Sequence, residues 1–406
     1  MVKLPASLIA LLFIAQAAIA DDGGFDACIL GLQARARAEH LPDWIVDQVL
    51  PDLKQQPRVL ELDRRQPEFT RTLAAYLNAR VTQARIEQGR RLLDEYAPFL
   101  HELTVRYGVP GRYLIAFWGL ETNFGAYTGR MRTLDSLATL ACDQRRSDYF
   151  TGELMSALAL LDRESLTPDQ MLGSWAGAVG HTQFMPSAYS RYAIDGDGDG
   201  HINLWTSERD ALASGANFLA QLGWQPGQRW GREVLLPADF PYEQTGLTNR
   251  KTVSEWRKLG VRLANKTRLP DSSLEAAIII PAGHAGPAFL VYRNFEVMMG
   301  WNRSVYYALA VGLLADRIIG AVDLARPPST DEAALSRTTI EQIQQRLNAL
   351  GFEVGEPDGI LGPTTRSALR AFQKSNGMIP DGYPDSATLL ALTTGTEAGS
   401  ATPKRP

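Results

Sequence analysis

The chain has 406 residues, 45% of them hydrophobic and 21% charged, a composition that gives room for two or three cored domains and excludes collagen-like and wholly disordered classes. Lys and Arg number 41 against 45 Asp and Glu, for a formal net charge of −4 and an isoelectric point near 5.8. No basic excess marks a nucleic-acid partner.

At the N-terminus Lys3 precedes an apolar run over residues 8–14, followed by Ala18-Ile19-Ala20 and Asp21-Asp22. A cationic start, an apolar centre and small residues before a cleavage point predict a secretory signal over residues 1–20, cut after Ala20. The run is shorter than the roughly 20 residues that span a bilayer, and no later segment is long enough. An exported, periplasmic protein without a stable transmembrane anchor is expected, the alternative being that the segment stays uncleaved as an anchor. Cys28 and Cys142 are the two cysteines. An even pair in an oxidising compartment predicts one disulfide, against the alternative of two buried thiols. Asp26-Ala27 makes a poor apolar lipidation signal before Cys28.

From residue 25 to about 222 the apolar spacing is helical, as in Leu92, Leu93, Tyr96, Phe99, Leu100 and Leu103. Pro110 suits a first helical turn, and the run from Tyr113 through Leu114-Ile115-Ala116-Phe117 to Trp118 is apolar on every side, so that helix must be buried. A second buried helix is predicted over residues 154–161. Between about 230 and 292, short β-type runs separated by Pro and Gly predict a small inserted β subdomain. Helix resumes over 305–324. Pro327-Pro328 belongs to a linker over 326–336. Residues 337–394 form a compact unit with amphipathic helices over 340–350 and 364–374, joined by a turn at Gly355-Glu356-Pro357-Asp358-Gly359, and 395–406 reads as a disordered tail. The predicted fold is mainly α, with a β-rich insertion in a catalytic region spanning 21–325.

Glu121 ends the apolar helix, in Trp118-Gly119-Leu120-Glu121-Thr122-Asn123-Phe124-Gly125. A carboxylate there is costly to bury ionised, so desolvation is expected to raise its pKa and keep a proton available for general-acid chemistry. The alternative is a Glu that caps a loop or pairs with an Arg. A second segment runs Gly173-Ser174-Trp175-Ala176-Gly177-Ala178-Val179-Gly180-His181-Thr182-Gln183-Phe184-Met185-Pro186. Its small residues let backbone approach a ligand closely, and Ser174, Gln183 and the aromatics offer hydrogen bonds and stacking surfaces to a sugar.

These two segments resemble the lytic murein transglycosylase B family. In that family the Glu is the single catalytic acid/base and the Ser and Gln face the glycan, roles that fall here on Glu121, Ser174 and Gln183. A third match, Asn302-Arg303-Ser304-Val305-Tyr306-Tyr307, carries the family's Asn and Tyr onto Asn302 and Tyr307, with Trp301 standing where a Tyr is expected. The resemblance covers residues 25–322 and implies a lysozyme-like helical core. It also implies a reaction: cleavage of the MurNAc–GlcNAc bond of peptidoglycan with formation of a 1,6-anhydroMurNAc end. No cofactor is required. Peptidoglycan strands are the implied partner, with cell-wall synthesis proteins as further candidates.

Asp195-Gly196-Asp197-Gly198-Asp199-Gly200-His201-Ile202 fits the first eight positions of an EF-hand loop, with the His201 carbonyl at the seventh, but position twelve is Thr206. The family uses a later acid, here Asp210, with Glu208 as a rival. A structural Ca²⁺ held by Asp195, Asp197, Asp199, His201 and Asp210 is expected, against a turn held by Asx hydrogen bonds alone. The five histidines, His40, His101, His181, His201 and His284, show no zinc-peptidase spacing.

The segment 337–392 resembles the peptidoglycan-binding domain type 1 family through Ile343-Gln344-Gln345-Arg346-Leu347, Asp358-Gly359-Ile360-Leu361-Gly362-Pro363-Thr364-Thr365 and Ala371-Phe372-Gln373, which implies a small three-helix wall-binding unit. Two other functions stay open on sequence: a hydrolytic muramidase of the same fold and a non-catalytic peptidoglycan-binding scaffold.

Overall fold

The structure is a computed structural model that describes residues 22–64 and 71–394; the signal segment 1–20 and the tail 395–406 lie outside the described residues. Its centre is the helix Gly111–Thr122, in which every side chain from Tyr113 to Leu120 is buried. Pro110, in extended conformation, starts this helix. Asn123, Phe124 and Gly125, all at positive φ (51°, 58° and 85°), stop it abruptly. The helices Gln83–Glu95, Ala97–Tyr107, Glu208–Gln221 and Val305–Ile318 enclose it. Two of these pack unusually close, because a Cβ on Gly89 would stand 2.5 Å from Ile318.

The helix predicted over 305–324 stops at Ile318. Gly320 turns the chain at φ 94°, and the Arg90 guanidinium takes two of the last carbonyls, donating to Ile318 O (3.1 Å) and Arg317 O (2.9 Å).

A second core forms around the helices Thr133–Ala141 and Ser147–Arg163. The helix Asp22–Ala38 is tied to it by a disulfide between Cys28 and Cys142, which are 114 residues apart in sequence. Trp301 joins the two cores: it stacks on Phe117 at 4.3 Å and meets Phe184 and Phe218 at 5.3 and 5.2 Å. It is therefore a bridge between cores, a role its large flat ring fills by touching aromatic residues from three elements.

Among the described residues there are seven strands: β1 (Met131–Arg132), β2 (Leu172–Gly173), β3 (Gly231–Leu235), β4 (Arg250–Thr252), β5 (Arg262–Leu263), β6 (Glu275–Ile279) and β7 (Ala288–Val291). β1 and β2 pair with each other; the other five form an antiparallel sheet in the order β4-β6-β7-β3-β5. β7 is buried on both faces, so its run reads as continuous apolar sequence, with one face on the helical core and the other on a small core built around Trp256.

The C-terminal unit consists of the helices Arg337–Ala349, Pro363–Ser375 and Ser386–Thr394. It is built from one device used twice. Gln344 donates Nε2–H to Asp358, the Ile360 carbonyl and Thr365, and its Oε1 accepts from the N–H of Asp358 and Gly359. Gln373 repeats this with Asp381, the Tyr383 carbonyl and Thr388, and accepts from Gly382 N–H. Each buried amide thus fastens an Asp-Gly turn to the next helix.

The second of these turns also docks the unit: Asp381 Oδ2 accepts from His284 N–H (2.8 Å) and lies 2.7 Å from His284 Nδ1. The linker is held from both sides, with Ala325 and Arg326 N–H donating to Glu233 and the Tyr383 hydroxyl donating to Glu332.

Candidate active site

Glu121 sits half-buried at the end of the central helix, and the Tyr307 hydroxyl donates a hydrogen bond to its Oε1. Tyr307 is buried one turn into Val305–Ile318, where Ser304 caps the helix by accepting from Tyr307 N–H (3.3 Å). Burial, first, and then the Glu121 charge and hydrogen bond push the Tyr307 phenol well above its ordinary value, so it remains a donor across the neutral range. Asn302 closes the turn before it, its side-chain oxygen accepting from Ser304 N–H at 3.2 Å.

The segment after Glu121 is fixed by Thr122, whose hydroxyl donates to the His181 carbonyl (3.0 Å) and accepts from Gly125 N–H (3.0 Å). His181 Nδ1 accepts from the Trp118 indole N–H at 2.9 Å, and burial lowers the imidazole pKa, which keeps the accepting nitrogen unprotonated. His181 is thus a buried strut between the helix and the loop. It is not a groove residue.

The loop bearing Ser174 and Gln183 lies against this segment. Gln183 Nε2 donates to the carbonyls of Thr128 and Gly180, both at 2.9 Å, which orients its amide and leaves Oε1 as the group able to accept from a ligand. Ser174 Oγ accepts from Ala178 N–H (3.1 Å) and shapes its own turn. β1–β2 pairing brings Gly129 so near Gly173 that a Cβ on it would stand 2.0 Å from the Gly173 carbonyl.

The structure thus joins Glu121 to Tyr307 directly, and seats Gln183, Ser174 and Asn302 on the segments that flank them. Trp118 and Thr122 are positioning residues that sequence reasoning did not assign, and His181 joins them as a hydrogen-bonded loop histidine. Trp118 and Thr122 stand in the motif itself, which was the available signal.

Three of the four carboxylates expected as ligands in the acidic loop come together. Asp195, Asp197 and Asp210 each offer an oxygen within 4.8 Å of the others. Asp199 stands outside this group, with its Oδ1 accepting from His201 N–H (2.8 Å), an Asx bond that Asp197 also makes, to Asp199 N–H, while inside it; the ligand expected from His201 is its backbone carbonyl. Burial, followed by the charges of Asp197 and Asp195, raises Asp210 above the ordinary carboxylate range despite two backbone N–H donors. Three converging oxygens, one of them on a buried acid, suit a hard cation such as Ca²⁺.

One carboxylate at the mouth of a buried helix, a phenol donating to it and an ordered amide beside it define a glycan-cleaving class of protein. The chain belongs to the Transglycosylase SLT domain family, which it matches over residues 24–316, and residues 336–392 match the peptidoglycan binding domain family. The fold is that of the lysozyme-like SLT proteins. The membrane-bound lytic murein transglycosylase B of Escherichia coli (strain K12) is 34% identical over 247 residues, 61% of this chain and 66% of that protein. The match therefore spans slightly less than two thirds of that relative.

SltB3 from Pseudomonas aeruginosa, solved in complex with NAG-anhNAM-pentapeptide, is 41% identical with a TM-score of 0.87 over 91% of this chain and 99% of its own. The Escherichia coli lytic transglycosylase Slt35, solved in complex with calcium, is 29% identical with a TM-score of 0.63, covering 72% of this chain and 93% of that one. Among the described residues no helix is long and apolar enough to cross a membrane.

Proposed function

We propose that this protein is a peptidoglycan lytic transglycosylase that cuts the MurNAc–GlcNAc bond and leaves a 1,6-anhydroMurNAc end. The observation that carries the reading is the Tyr307–Glu121 hydrogen bond at the end of the buried helix. The family, and an anhydro-sugar product bound to SltB3, support the same chemistry.

In this mechanism protonated Glu121 gives its proton to the glycosidic oxygen and the C1–O bond breaks toward an oxocarbenium-like centre. The resulting carboxylate then takes the proton of the MurNAc C6 hydroxyl, whose oxygen closes on C1. Tyr307 steadies the carboxylate while it is charged, and Gln183 Oε1 accepts from a sugar hydroxyl or amide. Ser174 and Asn302 shape the turns that border the groove. One carboxylate performs both proton transfers, so no second acid and no cofactor enter.

Asp195, Asp197 and Asp210 would hold a structural Ca²⁺, which the calcium complex of Slt35 supports. The protein acts in the periplasm after removal of residues 1–20; the Cys28–Cys142 disulfide suits an oxidising compartment. The C-terminal unit keeps the enzyme on its polymer by raising local concentration.

Mass spectrometry of the soluble products from purified sacculi tests the reaction. Muropeptides lighter by one water than hydrolysis products are expected; reducing-end MurNAc would make the protein a muramidase instead.

A further inference from the structure

The helix Val253–Lys258 and the outermost strand of the five-stranded sheet, β5, meet in a tight reversal. Gly260, at φ 83°, ends the helix: its N–H donates to the Arg257 carbonyl at 3.1 Å, and Val261 N–H donates to that of Trp256 at 3.2 Å. The chain then folds back on β5. Leu263 N–H donates to Thr267 O (2.9 Å) and Lys266, at φ 67°, holds the turn, which sets Arg262 directly opposite Arg268. The return segment is fastened to the helix start, where Ser254 N–H donates to Ser272 O (3.1 Å) and Ser272 N–H to Ser254 Oγ (2.8 Å). Helix, hairpin and return segment frame a concavity of about 430 Å³, whose polar lining is Ser254, Arg257, Lys258, Arg262, Arg268 and Asp271. That volume lies within the roughly 300–1,000 Å³ range of ligand pockets.

The charges here are out of balance. Residues 251–271 carry six Lys and Arg against two acids, in a chain whose net charge is −4. Both acids are engaged: Glu255 Oε2 accepts from Thr252 N–H (2.8 Å) and its hydroxyl (2.7 Å) in a capping box, and Asp271 accepts from the Ser254 hydroxyl. Among the described residues, Arg257, Lys258, Arg262, Lys266 and Arg268 make no ion pair. Two ordinary reasons for surface cations cover part of this set. Arg257 and Lys258 face the negative end of their helix dipole, and a cation on an edge strand discourages pairing with another chain. Neither accounts for Arg268 standing across from Arg262, because like charges at opposed strand positions repel. An anion between the two guanidinium groups relieves that repulsion, and their planar forks fit phosphate oxygens with paired hydrogen bonds. A phosphomonoester brings nearly two negative charges at neutral pH, against one from a carboxylate, and so answers more of the four lining cations.

We propose that this concavity is a phosphate-binding site, taking a phosphomonoester or diphosphate group between Arg262 and Arg268 with Arg257 and Lys258 on the facing wall. It stands on the β subdomain and shares no residue with the machinery assigned to glycan cleavage, so it holds whether or not that reading does. The phosphate comes either from a lipid headgroup, which fastens the protein to a membrane surface, or from a soluble phosphorylated ligand.

Titration calorimetry of the full chain with inorganic pyrophosphate, and flotation with phosphatidylcholine vesicles made with and without phosphatidic acid, test this. The native chain is expected to bind pyrophosphate, and R262Q/R268Q to bind it roughly tenfold more weakly, the weight of one charge-assisted contact. R257Q/K258Q, on the facing wall, is expected to weaken binding as well, so the site is tested from two elements. R35Q/R37Q, which removes two exposed cations from the helix Asp22–Ala38, is expected to bind as the native chain does. Flotation that needs phosphatidic acid and is lost in R262Q/R268Q supports the site and makes a lipid headgroup its occupant. Pyrophosphate binding without flotation supports it with a soluble occupant. A native chain that binds neither probe, full affinity in both site variants, or equal weakening in R35Q/R37Q would each overturn the proposal, the last by reducing the attraction to diffuse charge. R262Q/R268Q removes a repelling pair and is expected to keep the native Tm.

Discussion

Glu121 and the loop around residues 195–210 both set carboxylates at the edge of a buried helix, yet they use their oxygens in opposite ways. Glu121 takes a hydroxyl from a residue 186 positions away, on a helix packed against its own. The loop engages its acids locally: Asp195 accepts from Gly198 and Gly200 N–H, and Asp210 from Gly196 and Asn203 N–H. Those backbone donors pull Asp195 below the ordinary carboxylate range. A carboxylate filled by fixed N–H groups is a scaffold, because releasing any proton-accepting capacity would break the loop. A carboxylate steadied by a phenol on a rigid helix can gain and lose a proton without breaking the backbone bonds around it.

The sharpest way to break this contrast is Glu121→Gln. Retained binding to sacculi with a roughly 10³-fold loss of kcat is expected, from the usual weight of a general acid–base group. Activity within tenfold of the native enzyme would place the proton transfer elsewhere.

Next in size is Gly129→Ala. Gly129 lies at φ 98° and its added Cβ would meet the Gly173 carbonyl at 2.0 Å, so the strand pair that seats the Ser174 loop beside Glu121 must part. A stability loss of about 3 kcal/mol in urea unfolding is expected, from the strained φ and the clash together. A loss under about 0.5 kcal/mol would mean that the loop is not fixed to the acid's segment.

The two carboxylate regions also differed in how far sequence revealed them. The central helix was legible because an all-apolar run has nowhere to sit except the interior, and Glu121 was legible as the charge at its end. Tyr307 was reachable through a family motif, but its contact with Glu121 joins residues too distant in the chain for any local pattern to register. The acidic loop was legible as a motif, but which of its oxygens converge was not: Asp195, Asp197 and Asp210 come together from the two ends of the segment, while Asp199 Oδ1 accepts from His201 N–H.

Trp301 stood out in the sequence only as a departure from the expected Tyr, and it is a bridge because its neighbours in space are Phe117, Phe184 and Phe218. The paired Gln344 and Gln373 were quoted as fold residues without their repetition being visible, since the two halves share few identities outside the Asp-Gly turn. The docking of the C-terminal unit runs through His284 and Asp381, which lie 97 residues apart and so escape any local pattern.

Tyr307→Phe sharpens the catalytic side of the comparison with a smaller effect. Losing one hydrogen bond to a charged group is expected to lower kcat about tenfold, with KM little changed. Because burial and Glu121 hold the Tyr307 phenol far above its ordinary value, the same loss should appear at every pH from about 5 to 9. A loss confined to KM would make Tyr307 a sugar-binding group, and one that disappears toward high pH would mean that the phenol ionises in that range.

The smallest effect separates the loop from the catalytic acid. Asp210 is buried, and burial together with Asp195 and Asp197 raises its pKa, so its ionised form is under strain that a divalent cation would relieve. Adding Ca²⁺ at about five times its dissociation constant contributes roughly 1 kcal/mol, or a rise in Tm of about 3 °C for a domain of this size. Asp210→Asn removes one charge from the three converging oxygens and keeps an acceptor for only one of the Gly196 and Asn203 N–H groups, so the Ca²⁺-dependent rise should vanish, with a modest loss of Tm from the loop itself. Thermal melts with Ca²⁺, with chelator and in the Asp210→Asn variant check this, with kcat measured alongside. A Tm that ignores Ca²⁺ would leave the loop as a turn held by its own hydrogen bonds. A kcat that tracks Ca²⁺ while Tm does not would break the contrast itself, because the loop would then act on the chemistry proposed for Glu121 with Tyr307.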